Sequence, residues 1–322
     1  MRYVFVEPHR AEALKRELIE RKALENGPVL TENGRVGFPV TEHAAYETVE
    51  RTIDVPESHT SLRDALRDRI GPRADAIKRA FDVIGDIAII ERTRGSENIE
   101  TDIAHALLET HKNIKTVLIK DGGHEGDYRI QRYRWLAGDN RTTTIHKENG
   151  YALELDVATS YFSPRVGGER MRIATMIGEE RVLVIGSGIG PYPICIEKHS
   201  RAREIIGVEF NTNAHEYALK NTKRNACERI ECVRADAREY LSENHGYDRI
   251  IMPLPAQSSE LAPLAYDALN PEGVMHVYTF IHEGEEPKGF PGRIEHVETV
   301  GAAAPGYYRV CLDIRANAVK RR

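Results

Sequence analysis

The chain has 322 residues, of which 41% are hydrophobic and 30% charged, and its formal net charge is −5. This composition is that of a soluble globular protein, and no apolar run approaches the roughly 20 residues that a membrane-spanning helix needs. Because the first residues also show no signal-peptide pattern, we expect a cytoplasmic protein with no membrane contact. The length exceeds what one hydrophobic core usually organises, so we expect several domains.

The first sixty residues predict a small α/β domain. Residues 1–6 are rich in β-forming side chains, residues 7–24 carry apolar side chains at helical spacing, and an Asn33-Gly34 turn precedes the apolar run Val36–Val40. A polar stretch near residues 50 to 60 has the composition of a linker. We therefore predict a first domain at residues 1–60.

The next hundred residues predict a second α/β domain. Residues 81–91 indicate a strand with a glycine turn, residues 99–111 an amphipathic helix, and residues 115–122 a further strand. Residues 142–156 indicate a hairpin that turns at Asn149-Gly150. We place this domain at residues 61–165.

The remaining residues, 166–322, follow a regular alternation. From Arg181 onward, apolar strands are separated by helical stretches of about a dozen residues, a pattern typical of a parallel sheet covered on both faces. We therefore predict a doubly wound α/β domain here.

The first strand of this domain leads into a glycine-rich loop with Gly186, Gly188 and Gly190. Glycines let a backbone turn tightly and approach a ligand closely, and doubly wound sheets bind nucleotides at this edge. A dinucleotide fingerprint would place its third glycine at Pro191, so nicotinamide cofactors are disfavoured. The loop instead reads GxGxG.

Two acidic residues follow the loop at informative places. Glu209 ends the second strand and Asp236 follows the third. A GxGxG loop with these two acids is typical of Rossmann-like methyltransferases, in which the first carboxylate binds the ribose of S-adenosylmethionine and the second holds the adenine amine. No metal is expected, since this cofactor supplies its own electrophile.

The segment Tyr161–Arg170, YFSPRVGGER, resembles the YFSPRL-x-x-ER motif of the archaeal and eukaryotic tRNA (guanine(37)-N1)-methyltransferases. Segments 126–150, 188–194, 273–280 and 304–314 resemble other stretches of the same family, so the resemblance covers nearly the whole chain. It implies a class I Rossmann-like methyltransferase domain preceded by two smaller α/β domains. It also implies contacts with the anticodon stem-loop and, through the first domain, with the outer corner of the tRNA.

Three residues are candidates for catalytic roles: the resemblance implies the first two, and the aromatic side chain of the third could stack on an RNA base. Glu169 would take the N1 proton of the guanine, Arg129 would stabilise the charge on O6, and Tyr161 would stack on the flipped base. For Phe162, core packing is the equal alternative to stacking.

It also suggests binding residues around this centre. Arg165 and Arg170 are candidates for phosphate contacts, with a surface ion pair as the equal alternative. The tripeptide after the fourth strand assigns Pro253 and Leu254 to the substrate and the Pro255 carbonyl to the cofactor.

The sequence departs from the family pattern at two places. Ile185, Gly186 and Ser187 precede Gly188 where the family has DxFAG, and Pro253 replaces the Asn of the family's NLP tripeptide, which removes a side-chain amide. Two alternative functions stay open. One is an aminocarboxypropyltransferase of the wybutosine pathway, and the other is a non-catalytic tRNA-binding relative. We expect a monomer, since several domains of one chain can span a tRNA.

Overall fold

The computed structural model describes residues 1–25, 27, 29–41, 46–51, 61–76, 80–92, 99–125 and 130–318. These residues divide into two compact units, Met1–Thr60 and Ser61–Arg322. Among them, every helix is too short or too polar to cross a bilayer.

The first unit is a small sheet with one α-helix in its described part. Its elements are β1 (Arg2–Val6), α1 (Ala11–Glu20), β2 (Leu30–Glu32), β3 (Arg35–Val40) and β4 (Val49–Glu50). The strand order is β2-β3-β1-β4, and Leu14 and Leu18 of the helix pack against Val4 and Phe38 of the sheet. The predicted strand, helix and strand are confirmed, whereas most of the predicted linker lies outside the described residues.

The second unit begins with a four-stranded sheet and a separate hairpin. Its elements are α2 (Leu62–Ile70), β5 (Phe81–Ile84), β6 (Ile87–Ile90), α3 (Glu100–Thr110), β7 (Thr116–Glu125), β8 (Ile130–Gly138), β9 (Thr143–Glu148) and β10 (Tyr151–Asp156). The order β5-β6-β7-β8 includes one parallel pair, β6 with β7, which α3 connects. The predicted hairpin is confirmed, and both turn residues, Asn149 and Gly150, have positive φ as its tight turn requires.

The main sheet has seven strands among the described residues. Its elements are α4 (Gly167–Thr175), β11 (Arg181–Ile185), α5 (Pro191–His199), β12 (Glu204–Glu209), α6 (Thr212–Arg224), β13 (Ile230–Arg234), α7 (Ala237–Glu243), β14 (Tyr247–Met252), α8 (Ser258–Ala268), β15 (Leu269–His282), β16 (Arg293–Ala304) and β17 (Tyr307–Arg315). The order is β13-β12-β11-β14-β15-β17-β16. The first five strands are parallel, and β17 is antiparallel to both of its neighbours.

Both faces of this sheet are buried, which explains the unbroken apolar run in β11. Val182 and Val184 belong to a core shared with α4, α5 and α6, while Leu183 and Ile185 belong to a core shared with α7 and α8. Successive side chains of a strand point to opposite faces, so a strand covered on both sides must be apolar throughout. The predicted doubly wound α/β fold is confirmed.

The hairpin is fixed to the main domain by two asparagines of the α6 region. The Asn221 amide donates to the carbonyls of Glu154 and Ile189 and accepts from the Glu154 amide nitrogen, and Asn225 pairs with both backbone groups of Ala152. The first core also joins the hairpin to the main sheet. Residues 61–322 therefore form one compact unit, and the predicted boundary at residue 165 stays a prediction.

Candidate active site

A cavity lies at the carboxyl ends of the parallel strands β11, β12, β13 and β14. It brings together most of the predicted site residues, namely Tyr161, Arg170, Gly186, Gly188, Pro191, Glu209, Asp236, Pro253, Leu254 and Pro255. Loops that follow neighbouring parallel strands meet at one edge of the sheet, which is why residues so distant in sequence share one cavity.

The three glycines of the loop each have positive φ, between 56° and 90°. The amide nitrogens of Gly186 and Ser187 donate to the Val208 carbonyl at 2.8 and 3.0 Å, which folds the loop back onto β12. A Cβ on Gly186 would lie 2.6 Å from the Leu254 side chain. Gly190 caps α5, whose first residue is Pro191, so the loop ends directly at a helix N-terminus.

Glu209 lines the cavity and is oriented by the loop itself. Its Oε2 accepts from the Gly188 amide at 2.7 Å, and its Oε1 accepts from the Asn211 amide at 2.8 Å. Burial raises the pKa of Glu209, and hydrogen bonds from the backbone oppose that shift. The Phe210 amide is a third backbone donor to this carboxylate. Because a carboxylate has about four acceptor sites, Glu209 keeps one for a hydroxyl group.

Asp236 is the N-cap of α7, and its Oδ1 accepts from the Arg238 amide at 2.7 Å. An N-cap aspartate satisfies one helix N–H and keeps further lone pairs. Because Asp236 lines the same cavity, it offers an acceptor to an amino group on the side of the sheet formed by β13.

Glu169 lies in the first turn of α4 with 6% of its side chain exposed. Arg172 donates to its Oε2 from Nε at 2.7 Å and to its Oε1 from Nη2 at 2.8 Å, and the Tyr278 hydroxyl donates to Oε1 at 2.8 Å. Tyr278 also lines the cavity, so Glu169 is one hydrogen bond removed from the lining. One lone pair of Oε2 stays without a partner among these contacts.

On the side away from Glu169, Arg172 is bound by a series of buried polar residues, Asp313, His276 and Arg249. Its Nη1 donates to Asp313 Oδ2 at 2.8 Å, and His276 Nδ1 lies 2.6 Å from Asp313 Oδ1. The Arg249 guanidinium lies 2.6 Å from His276 Nε2. Since Arg249 only donates, His276 Nε2 is the acceptor and Nδ1 carries the proton. Burial lowers the pKa of His276, which keeps it neutral.

Buried Asp313 stays ionised in this chain. Burial alone would raise the pKa of Asp313, but the hydrogen bonds from His276 and Arg172 hold it well below its usual value. Cys311, Asp313 and His276 lie close enough together to be considered as metal ligands. Both nitrogens of His276 already have hydrogen-bond partners, however: Asp313 at Nδ1 and Arg249 at Nε2. We therefore interpret this cluster as a hydrogen-bond network that holds Arg172 through Asp313.

The predicted substrate residues lie in different environments. Tyr161 lines the cavity with 41% exposure, whereas Phe162 is 9% exposed and packs against His146 and Arg170. Arg165 is exposed and donates to Asp82 at 2.7 Å. Its predicted phosphate contact stays a prediction.

Arg170 is a buried partner of Glu148. Its side chain is 3% exposed, and Nε and Nη2 donate to the two Glu148 oxygens at 2.7 and 2.6 Å. Burial alone would raise the pKa of Glu148, but hydrogen bonds from His146 and Arg170 lower it to about 2. A phosphate contact from Arg170 stays a prediction, and it requires this ion pair to open.

The remaining predicted residues are two prolines, a leucine and an arginine. Pro253, Leu254 and Pro255 follow β14 and line the cavity, and the Pro255 carbonyl accepts from Ser258 Oγ at 3.1 Å. Arg129 lies outside the described residues. Its predicted role stays a prediction.

Sequence reasoning missed Arg172, Asp313, His276 and Tyr278. The last three lie in segments 273–280 and 304–314, which carried the family resemblance without any assigned role. Arg172 lies two residues after Arg170, on the same helix as Glu169. Its spacing of three residues from Glu169 is the available signal, because such pairs are neighbours on a helix surface.

The strand order, the glycine loop and the two acids together define a Rossmann-like methyltransferase. Comparison with known families gives two matches: a model of the TRM5/TYW2 methyltransferase domain covers residues 144–300, and a model of the TYW2 N-terminal domain covers residues 62–142. Among curated proteins, the tRNA (guanine(37)-N(1))-methyltransferase Trm5b of Pyrococcus abyssi is 34% identical over 95% of this chain and 96% of its own length. The chain therefore belongs to the family of archaeal and eukaryotic-type tRNA (guanine(37)-N1)-methyltransferases.

Solved structures show the same relationship. The structure of aTrm5 in complex with tRNALeu superposes with a TM-score of 0.73 at 27% identity, covering 98% of this chain and 100% of that one. Trm5b from Pyrococcus abyssi gives a TM-score of 0.71 at 30% identity, with 98% and 99% covered. The predicted family is thus confirmed along nearly the whole chain.

Proposed function

We propose that this protein transfers the methyl group of S-adenosylmethionine to N1 of the guanine at position 37 of tRNA, 3′ of the anticodon. The observation that carries this proposal is the Glu169 carboxylate, held beside the cofactor cavity by three donor contacts. Its family relatives bear the name of this reaction, and one of them has been solved with a tRNA bound.

The chemistry requires a base at N1. Guanine N1 carries a proton and its lone pair is delocalised, so the proton must leave as the methyl arrives, and negative charge then grows on O6. Arg172 and the Tyr278 hydroxyl orient the Glu169 carboxylate, which accepts the proton in this proposal. Oε2 is the accepting atom, since Oε1 already takes two hydrogen bonds.

The cavity fits S-adenosylmethionine, which supplies an electrophilic methyl group when bound. Glu209 keeps an acceptor for a ribose hydroxyl, Asp236 has one for the adenine amine, and Gly186 has no side chain because a Cβ there would collide with Leu254 of the cavity lining. Gly188, Gly190, Pro191 and the Pro255 carbonyl complete the proposed cofactor contacts. Pro253 and Leu254 face the substrate, and Tyr161 stacks on the flipped base.

Three further proposals concern the partner and the setting. The tRNA is the substrate, with the described cavity taking the anticodon loop and residues 1–60 the outer corner. The three-domain division, at residues 60 and 165, and a cytoplasmic location are retained as predictions. We also propose a monomer, for which size-exclusion chromatography with light scattering should give one chain mass; twice that mass would overturn it.

The alternative reaction is transfer of an aminocarboxypropyl group from the same cofactor. The match of residues 62–142 to the TYW2 N-terminal domain is the observation in its favour. The length of the match to Trm5b, which includes the first unit of this chain, favours methyl transfer. The two reactions leave different masses on the product.

The deciding experiment is mass spectrometry of nuclease-digested tRNA after incubation with the protein and S-adenosylmethionine. One transcript carries guanine at position 37 and a control carries adenine there. We expect one methyl gain on the guanine transcript alone. An aminocarboxypropyl gain would establish the alternative, and cofactor binding without any gain would point to the non-catalytic relative.

A further inference from the structure

Four side chains extend the cavity along one face of the β15 and β17 pair. Phe280 lies opposite Arg309, and His282 lies opposite Tyr307. Directly opposed residues of antiparallel strands share a face, so these four form one continuous row, which we term the aromatic strip. Phe280 and Arg309 also line the cavity, so the strip is continuous with the proposed active site.

The rings of the strip are packed against one another. Phe280 and Tyr307 are stacked with centroids 5.4 Å apart, and His282 lies 4.8 Å from Tyr307. The strip is only partly buried: Phe280 and Tyr307 are half-buried and His282 is exposed. Partly exposed rings beside a cation are the usual platform for unpaired nucleotides.

Arg309 has an unused donor. Its Nε is buried and has no hydrogen-bond partner in the described part of the chain. A buried unsatisfied donor is costly unless a ligand completes it. On the other side of Arg309, β16 presents Gly301, where a Cβ would meet open space. The Nε of Arg309 therefore lacks an acceptor, and there is space beside Arg309 for a ligand that could supply one.

Arg309 lies on β17, three strands away from β11, which leads into the glycine loop of the proposed cofactor site. Three strand spacings lie between β11 and β17, roughly 14 Å in all. The strip instead starts next to the proposed base, because Tyr278, which donates to Glu169, is two residues before Phe280 on the same face. Its far end meets the acidic turn of Glu283 and Glu285, which repels phosphate and so limits the strip to a short segment.

We propose that the aromatic strip binds the unpaired nucleotide adjoining the target guanine. Arg309 donates to the phosphate of this nucleotide, and the rings of Phe280, His282 and Tyr307 contact its base. This inference rests on the proposed function. It assigns recognition of the RNA next to the target guanine to residues outside the tripeptide Pro253-Leu254-Pro255, because none of these three side chains can donate a hydrogen bond.

The test measures tRNA affinity by fluorescence anisotropy across a salt series, using an unmodified transcript with guanine at position 37. Arg309→Gln should weaken binding roughly tenfold and reduce the slope of log affinity against log salt by about 0.7, the value for one phosphate contact in a single strand. Arg309→Lys keeps the charge and should keep the slope. Arg293→Gln, an exposed arginine of β16, is the matched control and should change neither quantity.

Tyr307→Leu tests the aromatic half of the proposal. It should weaken binding roughly fivefold or more with the salt slope unchanged. Thermal melts by circular dichroism verify folding, and calorimetry should show unchanged affinity for S-adenosylmethionine in every variant. Unchanged tRNA affinity and slope in folded Arg309→Gln would overturn the proposal, as would a loss of cofactor affinity. The product mass from the wild-type protein reports separately on the proposed function.

Discussion

Replacing Arg172 with glutamine should destabilise the protein strongly, because this guanidinium is shared by two buried carboxylates. Glu169 is 6% and Asp313 11% exposed, and Arg172 makes two hydrogen bonds to each. Removing the cation from a buried ion pair usually costs about 3–5 kcal/mol, since the remaining charge lacks compensation. His276 and Tyr278 remain as donors, so we expect the lower end, about 3 kcal/mol at neutral pH.

The assay is urea unfolding followed by circular dichroism, from neutral pH down to pH 3. Asp313 has its pKa depressed below 3.8, so its contribution to stability is full above that value and is lost as pH falls through the folded pKa. The difference in the free energy of unfolding between wild type and Arg172→Gln should therefore stay constant down to about pH 4 and begin to narrow only below it. Arg293→Gln breaks an exposed pair and should cost under about 1 kcal/mol. A neutral-pH cost for Arg172→Gln no larger than this control would refute the reasoning.

Three further changes probe the site and its support. Glu169→Gln should lower the single-turnover methylation rate by roughly a hundredfold or more while leaving tRNA and cofactor affinity nearly intact; an unchanged rate removes Glu169 as the base. Glu209→Ala should weaken S-adenosylmethionine binding in calorimetry, and unchanged affinity would refute the ribose contact. Glu148, with a pKa of about 2 against an ordinary 4.5, stabilises the fold fully above 4.5 and loses that contribution as pH falls toward 2. Glu148→Gln should remove this part of the pH dependence, and an unaltered acid limb in urea unfolding would contradict it.

Much of the fold was predictable because its signals are local. The hairpin at residues 142–156 follows from the alternation on either side of Asn149-Gly150, and the sheet follows from apolar strands alternating with helices. The glycine loop and Glu209 were also predictable, since a nucleotide site needs close backbone approach and an acceptor at the next strand end.

The support behind Glu169 was not predictable in the same way. Tyr278 lies 109 residues from Glu169, and Asp313 lies 141 residues from Arg172. No local pattern relates such residues, because their contact depends on β17 inserting next to β15. Burial of charge is equally hidden. Arg170 reads as a surface arginine in the sequence, and only its 3% exposure and its pairing with Glu148 distinguish it from Arg165.

One hydrogen-bond chain links α5, the helix that follows the glycine loop, to the proposed base. Tyr192, the second residue of α5, donates to the Tyr278 hydroxyl at 2.6 Å, and Tyr278 donates to Glu169 at 2.8 Å. Burial raises the pKa of both tyrosines, so both hydroxyls stay protonated and the direction of donation is fixed toward Glu169. The departures from the family pattern at Ile185, Gly186 and Ser187 come before Gly190, whereas this hydrogen-bond chain begins at Tyr192, after it. These departures therefore lie outside the hydrogen-bond chain that orients Glu169.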